Sequence, residues 1–215
     1  MVTERGLIDE VDAAFATTGQ GLPGWIDPHP HRQPSDEDYS RVSDPDKWRI
    51  VGARADAWLL ALVETGLAAV DPNADIHWRL PPKTVLSRSE RVTPYVATAL
   101  PLIVARSRVG GIDDAGVTLG VGDPAVCVAW IPDCGCDACD SGSQDVLDEL
   151  DSHILGVVSG ESRRLWQSGD REIIVVGDGD VMQTTGIFND GEVQSILANP
   201  SSWLDYSGAA WFTER

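Results

Sequence analysis

The sequence predicts an α+β fold, a single domain over residues 1–215 with an antiparallel or mixed sheet and about three helices packed on it. Three observations carry this. Apolar residues recur at helical spacing in two stretches before residue 66 and in one after residue 143. From about residue 76 the texture changes to short apolar runs punctuated by glycine, the pattern of strands. No internal repeat and no domain boundary interrupts the chain. Hydrophobic residues make up 42 % of the 215, enough to fill a core, and eight tryptophans supply much of that area.

The first helix is expected over residues 3–16. Leu7, Ile8, Val11, Ala14 and Phe15 share a face, Thr3 is placed to cap it, and Gly19 and Gly21 stop it. Residues 19–45 carry Pro23, Pro28, Pro30, Pro34 and Pro45 and read as an extended arm with few regular hydrogen bonds. Trp25, Ile26 and Tyr39 are the residues available to pin it to the body.

The second helix starts at Asp44-Pro45, with proline in its first turn. Trp48, Val51, Ala55, Trp58, Leu59, Leu62 and Val63 form its apolar stripe. Gly66 ends it early or Asp71-Pro72 ends it late. Strands are expected at 76–80, 84–92, 100–106, 116–121 and 125–131. The last, AVCVAWI, is apolar on both parities, as in a strand covered on both faces. A third helix is expected over 143–158, with Ser141 and Gln144 at capping-box spacing. Residues 163–167 read as a short strand. REIIVV and VMQTTGIF then form a hairpin across Gly177-Asp178-Gly179-Asp180, and a helical turn follows at 190–198. The aromatic tail around Trp203 and Trp211 should pack back on the body.

Charge narrows the function. Acidic residues number 34 against 16 basic, a formal net charge of -18. That field repels phosphate backbones and anionic bilayers, so nucleic acid and membrane are not expected partners, and it suits a basic protein, a cationic ligand or solubility alone. The first residues lack a signal-peptide apolar region, and no run approaches membrane-spanning length, so the expected location is cytoplasmic. Thiols stay reduced there, which favours metal binding or chemistry over a disulfide frame.

Three of the four cysteines lie at Cys134, Cys136 and Cys139, a C-x-C-x-x-C. So short a loop can converge three thiolates on one tetrahedral zinc. The second ligand pair of a full zinc signature is missing, so a fourth ligand has to come from elsewhere. Candidates are Cys127, seven residues upstream, a carboxylate from Asp133, Asp137 or Asp140, or a water. By its parity with Ala129 and Ile131, Cys127 reads as a core-facing thiol. His153 is a poor fourth ligand, because it lies roughly 15 Å down the helix from Ser143. The aspartates around the sulfurs should raise a thiol pKa, which argues against a redox C-x-x-C and for a bound cation. An ordinary strand-to-helix turn that binds nothing stays open as well.

Other features are weaker. His29-Pro30-His31 could approach a cation, but the proline restricts convergence. Gly177-Asp178-Gly179-Asp180 lacks the spaced acceptors of a calcium loop. No phosphate-binding loop, dinucleotide fingerprint, nucleophile elbow or H-E-x-x-H occurs. Arg163-Arg164 and the Lys83, Arg88 and Arg91 island are expected to make ion pairs.

Pro132-Asp133-Cys134-Gly135-Cys136-Asp137-Ala138-Cys139-Asp140, with Tyr39-Ser40-Arg41-Val42, the Leu100-Pro101-Leu102 strand entry and the late Trp203 and Trp211, resembles an uncharacterised bacterial family of unknown function. The resemblance spans about Tyr39 to Trp211. It implies one structural unit with the cysteine loop as its feature, and it carries no activity, ligand or catalytic residue. The expectation is a non-enzymatic binding or regulatory module with a structural zinc at Cys134, Cys136 and Cys139. The alternative is a metal-dependent enzyme with an open site at the same sulfurs.

Overall fold

A computed structural model of the chain describes residues 2–79, 82–167, 171–176 and 180–212. Helix α1 (Glu4–Thr18) starts where Thr3 Oγ1 accepts the Gly6 N–H at 3.1 Å, the predicted cap, and it buries Leu7 and Val11. Helix α2 (Arg49–Glu64) follows a 3-10 turn at Pro45–Trp48 and ends at Gly66, which has φ of +71°. It is buried on several faces because α1 flanks it while a sheet lies beneath it. Trp48, Val51, Ala55, Trp58 and Leu62 enter the core as the stripe predicts; Val63 stays exposed.

That sheet is an antiparallel meander in the order β1 (Ala68–Asp71), β2 (Leu86–Pro94), β3 (Leu102–Val109), β4 (Ile112–Val121) and β5 (Val126–Ile131). β3 is buried at every position from Leu102 to Ser107, so both of its faces are covered. The principal core forms between its α2 side and helix α3 (Ser143–Ser159), with Val104, Val117, Leu119, Leu150 and Ile154 among its members.

A second antiparallel sheet has the order β8 (Asp180–Thr185), β7 (Arg171–Val176), β6 (Arg163–Gln167), β9 (Leu204–Ser207). With helix α4 (Glu192–Ala198) it encloses a smaller core of Leu165, Ile173, Val175 and Ile196. Arg171 lies over the stacked rings of Phe188 and Trp203, 4.5 and 5.2 Å from their centroids. The tail returns as expected: Trp211 is buried and its backbone N–H donates to Val158 O at 2.8 Å.

Several expectations need correction. Residues 76–79 are not a strand. Trp78 makes only an isolated bridge to Ala125, and its ring lies so close to Gly120 that a Cβ there would come within 2.7 Å. The segment therefore covers the sheet rather than extending it. β1 and β9 are additional strands of four residues each. Each is too short to show an alternating pattern and forms because a neighbouring strand offers a free edge. The capping box is replaced: Gly142 precedes α3 without a side-chain cap, while Ser143 Oγ and Trp25 exchange hydrogen bonds. In the arm, Trp25 does dock, but Ile26 and Tyr39 are 86 % and 61 % exposed and pin nothing. The hairpin turn at 177–179 lies outside the described residues. No helix among the described residues is long and apolar enough to cross a membrane.

Candidate metal centre

The connection from β5 to α3 holds the three clustered cysteines, with a single 3-10 turn at Asp137–Cys139. Gly135 lets the loop double back. Its φ is +69°, and a Cβ there would sit 2.4 Å from Val109 Cγ1. The loop is thus pressed against the β3–β4 hairpin and carries no room for another residue type.

The sulfurs of Cys134, Cys136 and Cys139 all lie within 4.8 Å of one another. Those of Cys134 and Cys136 are 3.1 Å apart, and the Cys136 N–H donates to Cys134 Sγ at 3.4 Å. Around a tetrahedral zinc, with Zn–S near 2.3 Å, sulfurs stand about 3.8 Å apart, so small side-chain rotations suffice to bind one. Cys136 is buried, Cys134 and Cys139 are exposed, and all four cysteines are free thiols.

The electrostatics distinguish the sulfurs. Burial pushes the Cys136 thiol up, but contacts with the sulfurs of Cys134 and Cys139 and backbone N–H groups of Cys139 and Ala138 outweigh it and leave it below its ordinary value. Cys139 is pushed up to about 12 by its contact with Cys134, then by burial and Cys136. One of the three crowded thiols is thus lowered and another raised, because thiolates this close repel unless a cation joins them.

The candidate fourth ligands are placed elsewhere. Asp137 accepts from Ser43 Oγ at 2.6 Å, Ser43 N at 2.9 Å and Arg41 Nε at 2.7 Å. These bonds, Ser43 first, hold its carboxyl at about 2. Asp140 accepts from Trp25 Nε1 at 2.7 Å, from Gly142 N at 2.9 Å and from Lys47 Nζ. Both carboxylates clamp the arm to the loop. Lys47 in turn lies over the rings of Trp25 and Trp48, which meet edge to face at 5.3 Å. Asp133 is exposed and free of these clamps.

Cys127 does not share a face with Ala129 and Ile131. A bulge sets Leu119 opposite Ala129 but Gly120 opposite Cys127, which inverts the side-chain alternation at residue 128. Cys127 turns toward Arg164 and Glu172 of the second sheet, and burial pushes it up to about 11. His153 is buried in the body of α3, outside the sulfur group. Of the His29–His31 pair, His29 reaches the loop, its Nε2 lying 3.0 Å from Asp137 O, while its Nδ1 is buried without a partner.

Sequence reasoning singled out Trp25 and His29 without their loop partners, and it gave Arg41, Ser43 and Lys47 no role at the site. They sit about a hundred positions from the loop, and no local spacing announces them. The arginines of the basic islands make the expected ion pairs, Arg88 with Glu90, Arg91 with Asp123, Arg163 with Asp205 and Arg164 with Glu172, whereas Lys83 lies over the Trp130 ring and makes none among the described residues.

No curated protein and no solved structure matches the chain. A family profile does match it over residues 11–209, an interval that takes in the arm, both sheets and the cysteine loop, and the chain belongs to that family of unknown function, DUF6226.

Proposed function

We propose that this protein is a non-enzymatic binding module whose β5–α3 loop is closed by a zinc ion on Cys134, Cys136 and Cys139. The observation that carries the reading is the mutual approach of the three sulfurs to within 4.8 Å. Two backbone N–H groups directed at Cys136 and one at Cys134 add the donors that a thiolate needs. The fourth position falls to a water, since the arm clamps Asp137 and Asp140 and Asp133 lies outside the sulfur group.

In this reading the metal ties together a loop that already binds the arm through Asp137 and Asp140. It contributes folding free energy and fixes the surface that the arm and loop share. The acidic surface, at -18, then recruits a basic protein, and that association weakens as salt rises.

Cobalt substitution tests the metal. Added to reduced, metal-free protein, cobalt(II) should give thiolate charge-transfer bands and tetrahedral ligand-field bands that saturate at about one equivalent and vanish in Cys136→Ser. A spectrum of octahedral cobalt in the wild type removes the proposal.

A second reading, a metal-dependent enzyme, is favoured by the solvent exposure of Cys134 and Cys139, which leaves a coordination position accessible. Chelation separates the two. A closed structural ion lowers the melting temperature when removed, whereas an open catalytic ion leaves it nearly unchanged.

A further inference from the structure

A cleft of about 330 Å³ opens between β5, α3 and β7, lined by Val128, Trp130, Asp133, Glu149, His153 and Ile174. Its size is that of a small-molecule site. Glu149 and His153 are four residues apart on α3, so one helix face presents both. Asp133 enters from the residue after Pro132, and Trp130 from the end of β5.

Three features of this cleft are unlike the rest of the protein. First, its two carboxylates lack a cation. Nearly every arginine in the body is paired, yet neither Asp133 nor Glu149 has an arginine, lysine or hydrogen-bond donor among the described residues. Burial and the nearby Asp133 charge push the Glu149 carboxyl up. Second, His153 is only 3 % exposed and makes no hydrogen bond among the described residues, although its ring lines the cleft. Its ring nitrogens are not sealed away without a partner as His29 Nδ1 is, so they stay open to a ligand from the cleft. Third, the remaining walls are apolar or aromatic. Lys83 Nζ lies over the Trp130 ring, 5.5 Å from its centroid, and pairs with neither carboxylate.

We propose that this cleft binds a small organic ammonium ion, an amine carrying an apolar or aromatic body. Glu149 and Asp133 receive the ammonium group. The neutral His153 ring accepts a hydrogen bond from it, and Val128, Trp130 and Ile174 enclose the body. A bare divalent metal fits less well, because the ligand atoms of Asp133, Glu149 and His153 do not converge as the three sulfurs do. The site is separate from the cysteine cluster and does not depend on its metal.

The test uses the full-length protein as purified and matched probes, benzylamine and cyclohexylamine against benzyl alcohol and cyclohexanol. Binding is followed by saturation-transfer NMR and by shifts of the Trp130 indole resonance. The amines should bind saturably and shift Trp130, while the alcohols bind at least about tenfold more weakly, the size of a lost charge-assisted hydrogen bond. Glu149→Gln should weaken amine binding by a similar factor while the circular dichroism spectrum stays unchanged. Asp133→Asn, at an exposed position, provides a second variant if the first fails to fold. Equal binding of amines and alcohols, no saturable binding of any probe, or Trp130 shifts elicited by zinc but not by amines would each overturn the proposal.

Discussion

The α2–sheet body and the cysteine loop handle charge in opposite ways. In the body, Arg106 is fully buried, yet each end of its guanidinium has a partner: Glu90 at 3.2 Å, Gly52 O at 2.7 Å and Asp56 at 2.6 Å. Arg54 repeats the arrangement with Asp151 and Asp12, and Trp58 Nε1 joins it by donating to Asp151. Charges there are consumed within the fold. In the loop the carboxylates of Asp137 and Asp140 are consumed by the arm, and the three sulfurs face one another. The comparison teaches that the loop's acidic residues shape the site rather than line it. The chemistry is left to the thiols.

The largest effect should come from breaking the body. Arg106→Met leaves Glu90, only 2 % exposed, with Arg88 as its remaining cation. Chemical denaturation should register a loss of about 3–5 kcal/mol, as for other broken buried pairs. A loss below about 1 kcal/mol would show that Arg106 is not integral to the core.

Next comes His153, at the border between the two regions. Burial holds it at about 4, below its ordinary 6.5. The unfolded chain therefore binds more protons between those values, so the contribution is complete above about pH 6.5 and is lost as pH falls toward 4. The full excursion is on the order of 3 kcal/mol. Denaturation midpoints measured from pH 7.5 to 4 should slope downward in the wild type and lose that slope in His153→Gln.

Asp137 tests the clamp itself. Asp137→Asn keeps the shape but loses the charge-assisted bonds to Arg41 and Ser43, a cost of about 1–2 kcal/mol. Its carboxyl is depressed, so the stabilisation is present above about pH 4 and disappears as pH falls through 2. Acid titration should find the variant less sensitive than the wild type over that window. Proteolysis of the arm near residues 26–39 should also quicken if the clamp holds it.

The smallest effect, that of a sulfur in metal-free protein, sharpens the contrast most. In metal-free protein, Cys136→Ser should change stability by less than about 1 kcal/mol, because a hydroxyl replaces a thiol of similar volume. In zinc-loaded protein the same substitution should cost several kcal/mol. Equal costs in both states would mean that the sulfur serves packing alone.

Much of this fold was legible in the sequence because its long elements are strongly patterned. Thr3 caps α1 where it was expected to, and Leu7 and Val11 mark its buried side. The β-meander from Leu86 to Ile131 follows the apolar runs closely. What escaped was set by partners distant in sequence. Ala68–Asp71 is a strand because β2 offers an edge, and Trp78 covers Gly120 rather than extending the sheet. The bulge opposite Leu119 and Gly120 defeated the parity argument for Cys127, since alternation carries no sign of an inserted residue. The cysteine cluster was visible as a motif. The clamping of Asp137 and Asp140 by Arg41, Ser43, Trp25 and Lys47 was not, because each contact spans about a hundred residues.

Elemental analysis and thiol titration on one sample test the central claim most directly. Protein purified under reducing conditions without added metal should carry about one equivalent of zinc, with Cys134, Cys136 and Cys139 protected from thiol reagents until a chelator is added. A metal-free sample in which those three thiols react freely, with a melting temperature indifferent to added zinc, would contradict it.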